Sequence, residues 1–311
     1  MLKYTCKRIL QALIVLWGVY TLTFLVVNLV PGDPVAMMMN RRADAETIER
    51  IRHQLGMDLP LYQQYLTYLG NVLHGDFGMS YIKSVPVLDL ITKGFSTTVR
   101  LGLSAYAIAV CIGLPAGIFT ALKRGKVADR VGIILIMLMV SVPSFWLAVL
   151  LQILFGLKLS WFPISGMGSA NWWVLPAVTL GVGYSAIMAR LTRTNVLEAL
   201  SQDYVKTAYA KGLKGCAVIL GHVLKNAAIP TVTLFGLQLP SVLGGAMIIE
   251  QIFSLPGIGT VAIDAINNRD IPVIQGTVLY SASIFVLINL LVDLLYGLLD
   301  PRIRVGGKEE A

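Results

Sequence analysis

The segment 203-DYVKTAYAKGLKGCAVILGHVLKNAAIP-230 decides how the rest of this 311-residue chain is read. It is a short, basic pattern rich in small residues, set between long apolar runs. From Ser201 to Gly212 the spacing predicts a helix of about ten residues. Ser201 is placed to cap it, Asp203 sits near the positive end of the dipole, Lys211 near the negative end, and Gly212 fits the residue just past the helix. Such a helix is about 15 Å long, too short to cross a bilayer. Thr207, Ala208 and Ala210 keep its surface small enough for a partner to approach the backbone, while Tyr204 and Tyr209 offer larger rings. Spacing leaves two readings open, a knob for a protein socket or an amphipathic helix resting on lipid head groups.

Composition identifies the solvent around this segment. The chain is 56% hydrophobic and only 14% charged, with a mean hydropathy of +0.73, whereas roughly a quarter of the residues in a soluble domain carry charge. The net charge of +8 fits loops that orient a membrane protein, and no basic stripe with interleaved aromatics marks a nucleic-acid surface. Cys6, Cys111 and Cys216 are isolated and odd in number, a pattern of neither a disulfide framework nor a CxxC metal site. They read as packing residues.

Working outward, six apolar runs are long enough to cross a hydrocarbon core of about 30 Å. They are Ile9 to Val30, Leu101 to Leu122, Val131 to Leu157, Trp172 to Ala189, Ile229 to Ile249 and Ile274 to Leu299. The first is too long for a signal peptide, lacks an A-x-A-like cleavage site and reads as a retained span. Lys123, Arg124, Lys126 and Arg130 outnumber Asp129 after the second run, and Lys206, Lys211, Lys214 and Lys225 follow the fourth. The positive-inside rule then makes both loops and both termini cytoplasmic. The segment from Pro31 to Gly94 falls outside with near-balanced charge. Breaks at Gly56 and Pro60 divide it into two expected short helices, around Ala45 to Leu55 and Leu61 to Leu73. No internal repeat or low-complexity tract is visible. The expected fold is an all-α, polytopic membrane protein with six transmembrane helices.

Candidate chemistry is sparse. Asp293 is the one carboxylate read as lying well inside a span, seven residues from Asp300 and so near a boundary where water or a base can meet it. Arg190 and Arg193 read as interfacial anchors ending the fourth span. Pro143, Pro176, Pro230 and Pro240 interrupt or bound spans, and Gly244 with Gly245 is the preferred pathway or hinge candidate. Gln152, Asn226, Gln238 and Asn289 could meet a polar substrate or bond between helices. His53, His74 and His222 form no HExxH or paired ligand set, and Met37, Met38 and Met39 read as a flexible apolar contact, so no metal site is assigned. An intramembrane protease lacks a GxSxG, an HExxH and an aspartate pair here. A passive channel has no use for the basic helix between the fourth and fifth spans.

The ordered motifs resemble a known family, the inner-membrane permeases of ABC importers, in the branch serving dipeptides, oligopeptides and nickel. Lys206-Thr207-Ala208 followed by Gly212 occupies the E-A-A-x-x-x-G positions of that family's loop, with lysine in place of glutamate and Leu224-Lys225 where many permeases have Leu-Pro. The peptide branch tolerates both changes. Pro31-Gly32-Asp33-Pro34, Leu55-Gly56-Met57-Asp58, Gly75-Asp76-Phe77-Gly78, Phe253 to Gly259, Arg269 to Gln275 and Asn289 through Asp300-Pro301-Arg302 look like the branch's other signatures, so the similarity covers nearly the whole chain. Leu255 and Ile271 stand where Trp and Tyr are frequent.

The resemblance implies a type I ABC importer permease fold in a bacterial inner membrane. Its expected parts are a first helix over residues 1–30, an extracytoplasmic insert over 31–95, a five-helix core over 96–300 with a coupling loop at 196–228, and a tail over 301–311. Asp203, Tyr204, Lys206, Thr207, Ala208, Tyr209, Ala210, Lys211 and Gly212 would dock on a cytoplasmic ATP-binding subunit. The implied partners are a second related permease, two ATP-binding subunits and an external binding protein. No cofactor is expected on this chain, whose sequence lacks G-x-x-x-x-G-K-[ST]; ATP and magnesium would sit in the partner subunits. The implied cargo is a short peptide, with nickel or glutathione as alternatives.

Overall fold

A computed structural model describes residues 2–29, 45–54, 56–169, 171–244 and 246–299. Among them there is no strand, only an isolated bridge between Met79 and Pro86. The helices are α1 (Leu2–Leu29), α2 (Ala45–Gln54), α3 (Leu61–Leu73), α4 (Val87–Leu122), α5 (Val127–Ser141), α6 (Ser144–Leu151), α7 (Val174–Ser201), α8 (Asp203–Ala210), α9 (Gly215–Val218), α10 (Leu224–Gly244), α11 (Ala246–Ile252), α12 (Ile258–Asn268) and α13 (Ile271–Leu299). A π-helical turn, Gln152–Lys158, continues α6, and another, Ile219–Val223, joins α9 to α10. Among the described residues, five helical stretches are long and apolar enough to cross a membrane. They lie at Thr5–Leu29, Val87–Leu122, Val174–Ser201, Gly215–Val242 and Ile271–Leu294.

The sixth stretch, within the apolar run from Val131 to Leu157, is a bent pair. The helix breaks by 95° between Val127–Ser141 and Ser144–Lys158. Pro143 supplies the cause: it has no N–H to continue the ladder, and it pushes the preceding Val142 into extended backbone with φ −79° and ψ 119°. The fourth span is also longer than its apolar run. It continues past Ala189 to Ser201, so Arg190 and Arg193 lie within the helix and do not end it. All three cysteines are exposed, which overturns their reading as packing residues. Pro31 to Pro34, Leu55, Met37 to Met39, Gly245, the Asp300-Pro301-Arg302 signature and the 301–311 tail lie outside the described residues.

The chain divides into two compact units. One comprises Thr98–Leu255 with Ile288–Leu299. Its core brings Leu101 and Ala105 of α4 together with Leu175, Ala177 and Leu180 of α7, Val242 of α10, and Ile249 and Phe253 at α11. Gly113 and Gly117 let α4 and α7 approach closely. A Cβ on Gly113 would lie 2.6 Å from the Ser185 carbonyl oxygen, and one on Gly117 would lie 2.5 Å from that of Ala189. This is the small-residue logic by which membrane helices pack when water supplies no drive between them. Polar bonds reinforce the seam: Asn195 Nδ2 donates to Thr231 Oγ1 at 3.0 Å, joining α7 to α10, and Gln152 Nε2 donates to the carbonyls of Ile164 and Ile252. Gln152 is therefore a structural pin.

The other unit comprises Leu2–Thr97 and Pro256–Leu287. Its two short helices fall where the Gly56 and Pro60 breaks placed them. Val87 and Ile91 pack with Ile258, Ala265 and Val273. Asp270 clasps the turn before α4: its carboxylate accepts from the Ser80 hydroxyl and from the Tyr81 N–H at 3.1 Å, and it is 3% exposed. Burial, together with this neighbouring carboxylate, pushes the Tyr81 phenol up to about 12. A buried acid satisfied by several donors of one turn fixes that turn's conformation.

Candidate functional site

The short helix identified from sequence forms, and its two ends show why. Helix α7 stops at Ser201, and the extended backbone of Gln202 (φ −74°, ψ 151°) starts α8 at Asp203. Ser201 is thus not the cap. Its hydroxyl donates to the Glu198 carbonyl at 2.7 Å and belongs to the preceding helix. At the other end, the Gly212 N–H bonds the Tyr209 carbonyl at 2.9 Å and the Leu213 N–H bonds that of Ala208 at 3.3 Å. Gly212 has φ +78°. These are the paired bonds of a Schellman ending, whose left-handed residue a glycine adopts without steric cost.

Two side chains seat α8. Val205 and Ala208, one turn apart, are each 4% exposed and pack with Val196 and Ala199 of α7, Val218, Val223, Ala227 and Ala121 of α4. Ala208 therefore faces inward, correcting its expected place on the small outer surface. Asp203, Tyr204, Lys206, Thr207, Tyr209, Ala210, Lys211 and Gly212 are all exposed. Lys206 Nζ reaches Asp203 Oδ1 at 2.8 Å with both side chains open to solvent, an arrangement that contributes little to stability. The exposed face thus carries two aromatic rings, two lysines and one carboxylate around a core-anchored stub. A Cβ on Gly212 would meet nothing within 4 Å, so the demand for glycine inside this chain is conformational.

Helix α7 is tied to α5 by a pair that sequence spacing does not join. Arg193 of α7 donates through Nη2 to both carboxylate oxygens of Asp129, each at 3.1 Å, and through Nε at 3.2 Å. Asp129 also accepts the Gly125 N–H at 3.0 Å, so one buried carboxylate ties the 123–126 turn, α5 and α7 together. The sequence showed Asp129 only as the lone acid in a basic loop, and nothing in its spacing named Arg193, 64 positions away. The same holds for Glu250, which is fully buried and accepts from Thr98 Oγ1. It lies one residue beyond the apolar run taken as the fifth span. Asp293 is half-buried in α13 and is not without a partner. Gly244 ends α10 in an exposed position with room for a Cβ. Asn226 donates to the His222 carbonyl within its own helix.

Comparison with known proteins places this arrangement. Residues 113–305 match the family described as binding-protein-dependent transport system inner membrane component, and residues 1–102 match the N-terminal region of such membrane components. A glutathione transport system permease protein, GsiC, of Escherichia coli strain K12 is 42% identical over 304 residues, covering 98% of this chain and 99% of that protein. The protein of the same name from Shigella flexneri serotype 5b is 41% identical over the same length. Among solved structures, the inward-facing MetNI methionine ABC transporter aligns with a TM-score of 0.55 at 19% identity, covering 68% of this chain and 96% of that one. That likeness concerns the fold. With its multi-pass helical fold and matches over nearly its whole length, this chain belongs to the inner-membrane components of binding-protein-dependent transport systems and is the permease subunit of an ABC importer.

Proposed function

We propose that the chain carries short peptides, di- and oligopeptides, across the bacterial inner membrane, with α8 as the element through which ATP-binding subunits drive it. The observation that carries the coupling role is the geometry of α8. Val205 and Ala208 root it in the core of α7 and α4, while Tyr204, Lys206, Thr207, Tyr209, Ala210, Lys211 and Gly212 stand clear of the chain. A load on that face passes through close-packed side chains to two spans, and close packing transmits displacement. The working assembly on this reading is this chain, a second related permease, two ATP-binding subunits holding ATP and magnesium, and an external binding protein. Both termini lie in the cytoplasm with α8, and the insert before α4 is on the extracytoplasmic side of the membrane. Gly244, at the break between α10 and α11, serves as a hinge beside the pathway. Uptake by the assembled transporter tests this: it is expected to require ATP and the co-expressed ATP-binding subunits, and ATP-independent flux would reject it.

A second cargo reading has its own support, since the relatives of about two-fifths identity are glutathione permeases by name. Glutathione is a tripeptide, so the two readings share a substrate chemistry and differ in the peptide accepted. Competition by unlabelled dipeptides, longer peptides, glutathione and a nickel complex against uptake with the cognate binding protein separates them.

A further inference from the structure

Helix α3 carries no charge, and the uncharged stretch runs from Leu59 to Gly75, between Asp58 and Asp76. None of its residues is buried; Tyr62, Leu66 and Leu73 are 64%, 60% and 77% exposed. At about 100° per residue these three fall on one face with Leu69, while Gln63, Gln64, Thr67 and Asn71 fall on the opposite one. A third stripe, Tyr65 and Tyr68, meets α1. The Tyr20 hydroxyl donates to the Tyr65 carbonyl, Thr21 Oγ1 and the Tyr65 hydroxyl lie 2.9 Å apart, and the Tyr65 ring stands edge-on to Tyr20 and Phe24 at 4.8 and 5.3 Å. The contact occupies about one turn of each helix, the signature of two helices that cross.

Helix α1 sets the depth of that crossing. Lys7 and Arg8 belong at one membrane boundary, since a charge is expensive farther in. Counting about 20 residues onward from Ile9, at a rise of about 1.5 Å each, puts the other boundary near Asn28. Phe24 then lies about 6 Å and Tyr20 about 12 Å inside it. An α3 bonded to Tyr20 cannot stand in the water beyond.

We propose that α3 lies in the membrane plane, sunk into the leaflet opposite Lys7 and Arg8, with Tyr62, Leu66, Leu69 and Leu73 against acyl chains and its glutamine face toward the head groups. Its exposed leucines continue the lipid-facing surface of α1, where Ile14, Leu22, Leu25 and Val26 are also exposed. The backbone suits that place. The Gly75 N–H bonds the Val72 carbonyl at 2.9 Å and the Asp76 N–H that of Asn71 at 2.9 Å, so the last carbonyls are paired internally, while Gln64 Nε2 serves the carbonyls of Met57 and Leu59. Because α3 has no lysine or arginine, apolar burial and tyrosine anchoring hold it, and anionic lipid is not needed.

Spin labels in the complete transporter, reconstituted in bilayer nanodiscs, test the placement. With Cys6, Cys111 and Cys216 changed to serine, labels at Leu66→Cys and Tyr62→Cys are compared with Ile14→Cys on α1 and Asp76→Cys past the end of α3. The ratio of collision with oxygen to collision with a water-soluble nickel chelate is expected to be severalfold higher at Leu66 and Tyr62 than at Asp76. It should approach that at Ile14, in zwitterionic and anionic lipid alike. Chelate access at both positions equal to that at Asp76 would overturn the proposal by placing α3 in water. Protection from both reagents would overturn it by showing a protein partner there.

Discussion

Helices α3 and α8 close in the same way and meet different surroundings. Each ends in a Schellman turn on a left-handed glycine, Gly75 in one and Gly212 in the other, with φ +83° and +78°. Each leaves much of its surface uncovered by its own chain. Helix α8 shows Asp203, Lys206 and Lys211 around two tyrosines, a surface that water tolerates. Helix α3 shows leucine and tyrosine with no charge, a surface that water does not tolerate. Backbone chemistry makes the two helices alike, and the solvent-facing side chains assign them to different phases.

The same substitution applied to both helices breaks or sharpens that contrast most strongly. Leu66→Arg on α3 puts a charge at acyl-chain depth and is expected to cost up to about 3 kcal/mol, seen as a large fall in membrane-assembled transporter. Tyr204→Arg on α8 should leave the amount of permease in the membrane unchanged. Equal tolerance at both sites would remove the distinction between the helices.

Next in size is Gly117→Val. It drives a side chain into the Ala189 carbonyl and Thr192, and overpacking of about 1–3 kcal/mol should lower the Tm of the purified permease. A smaller effect is expected at Gly212. Gly212→Ala forces an ordinary residue into left-handed backbone at about 1 kcal/mol, and Gly212→Asn at less. If α8 is a docking knob, both variants lose ATPase stimulation out of proportion to any change in Tm. If Gly212 only closes the helix, Gly212→Asn retains both. Smallest is Lys206→Ala, where loss of an exposed pair should change stability by less than about 0.5 kcal/mol. A large drop in Tm would show that α8 depends on its surface charges for its place.

Much of this contrast is legible in the sequence because short helices are bounded by local chemistry. Pro60 marks the start of α3, and Gly212 the end of α8, from residues within a turn of the boundary. Gln202, not Ser201, caps α8, and the Ser201 hydroxyl donates to the Glu198 carbonyl of the preceding helix. Pro143 marked a break, but a proline does not announce that the break will be 95°. Apolar runs mark where a helix is greasy and not where it stops, so α7 outlasted its run by a dozen residues, from Ala189 to Ser201. What stayed hidden is non-local. Gly113-x-x-x-Gly117 and Ser185-x-x-x-Ala189 are visible as small-residue pairs, yet only the fold shows that they face each other. Asp129 with Arg193, Thr98 with Glu250, and Asp270 with Ser80 are likewise separated by 64, 152 and 190 positions.

The glycine seam between α4 and α7 has a mechanical consequence. Contacts this close, with carbonyl oxygens seated where a Cβ would otherwise stand, resist sliding, because any axial shift brings side chains into collision. Helix α7 is also one unbroken rod of 28 residues, about 42 Å long, clamped by Arg193 near its α8 end. On the proposed coupling role, α7 and α4 are therefore expected to move together where Gly113 and Gly117 meet Ser185 and Ala189.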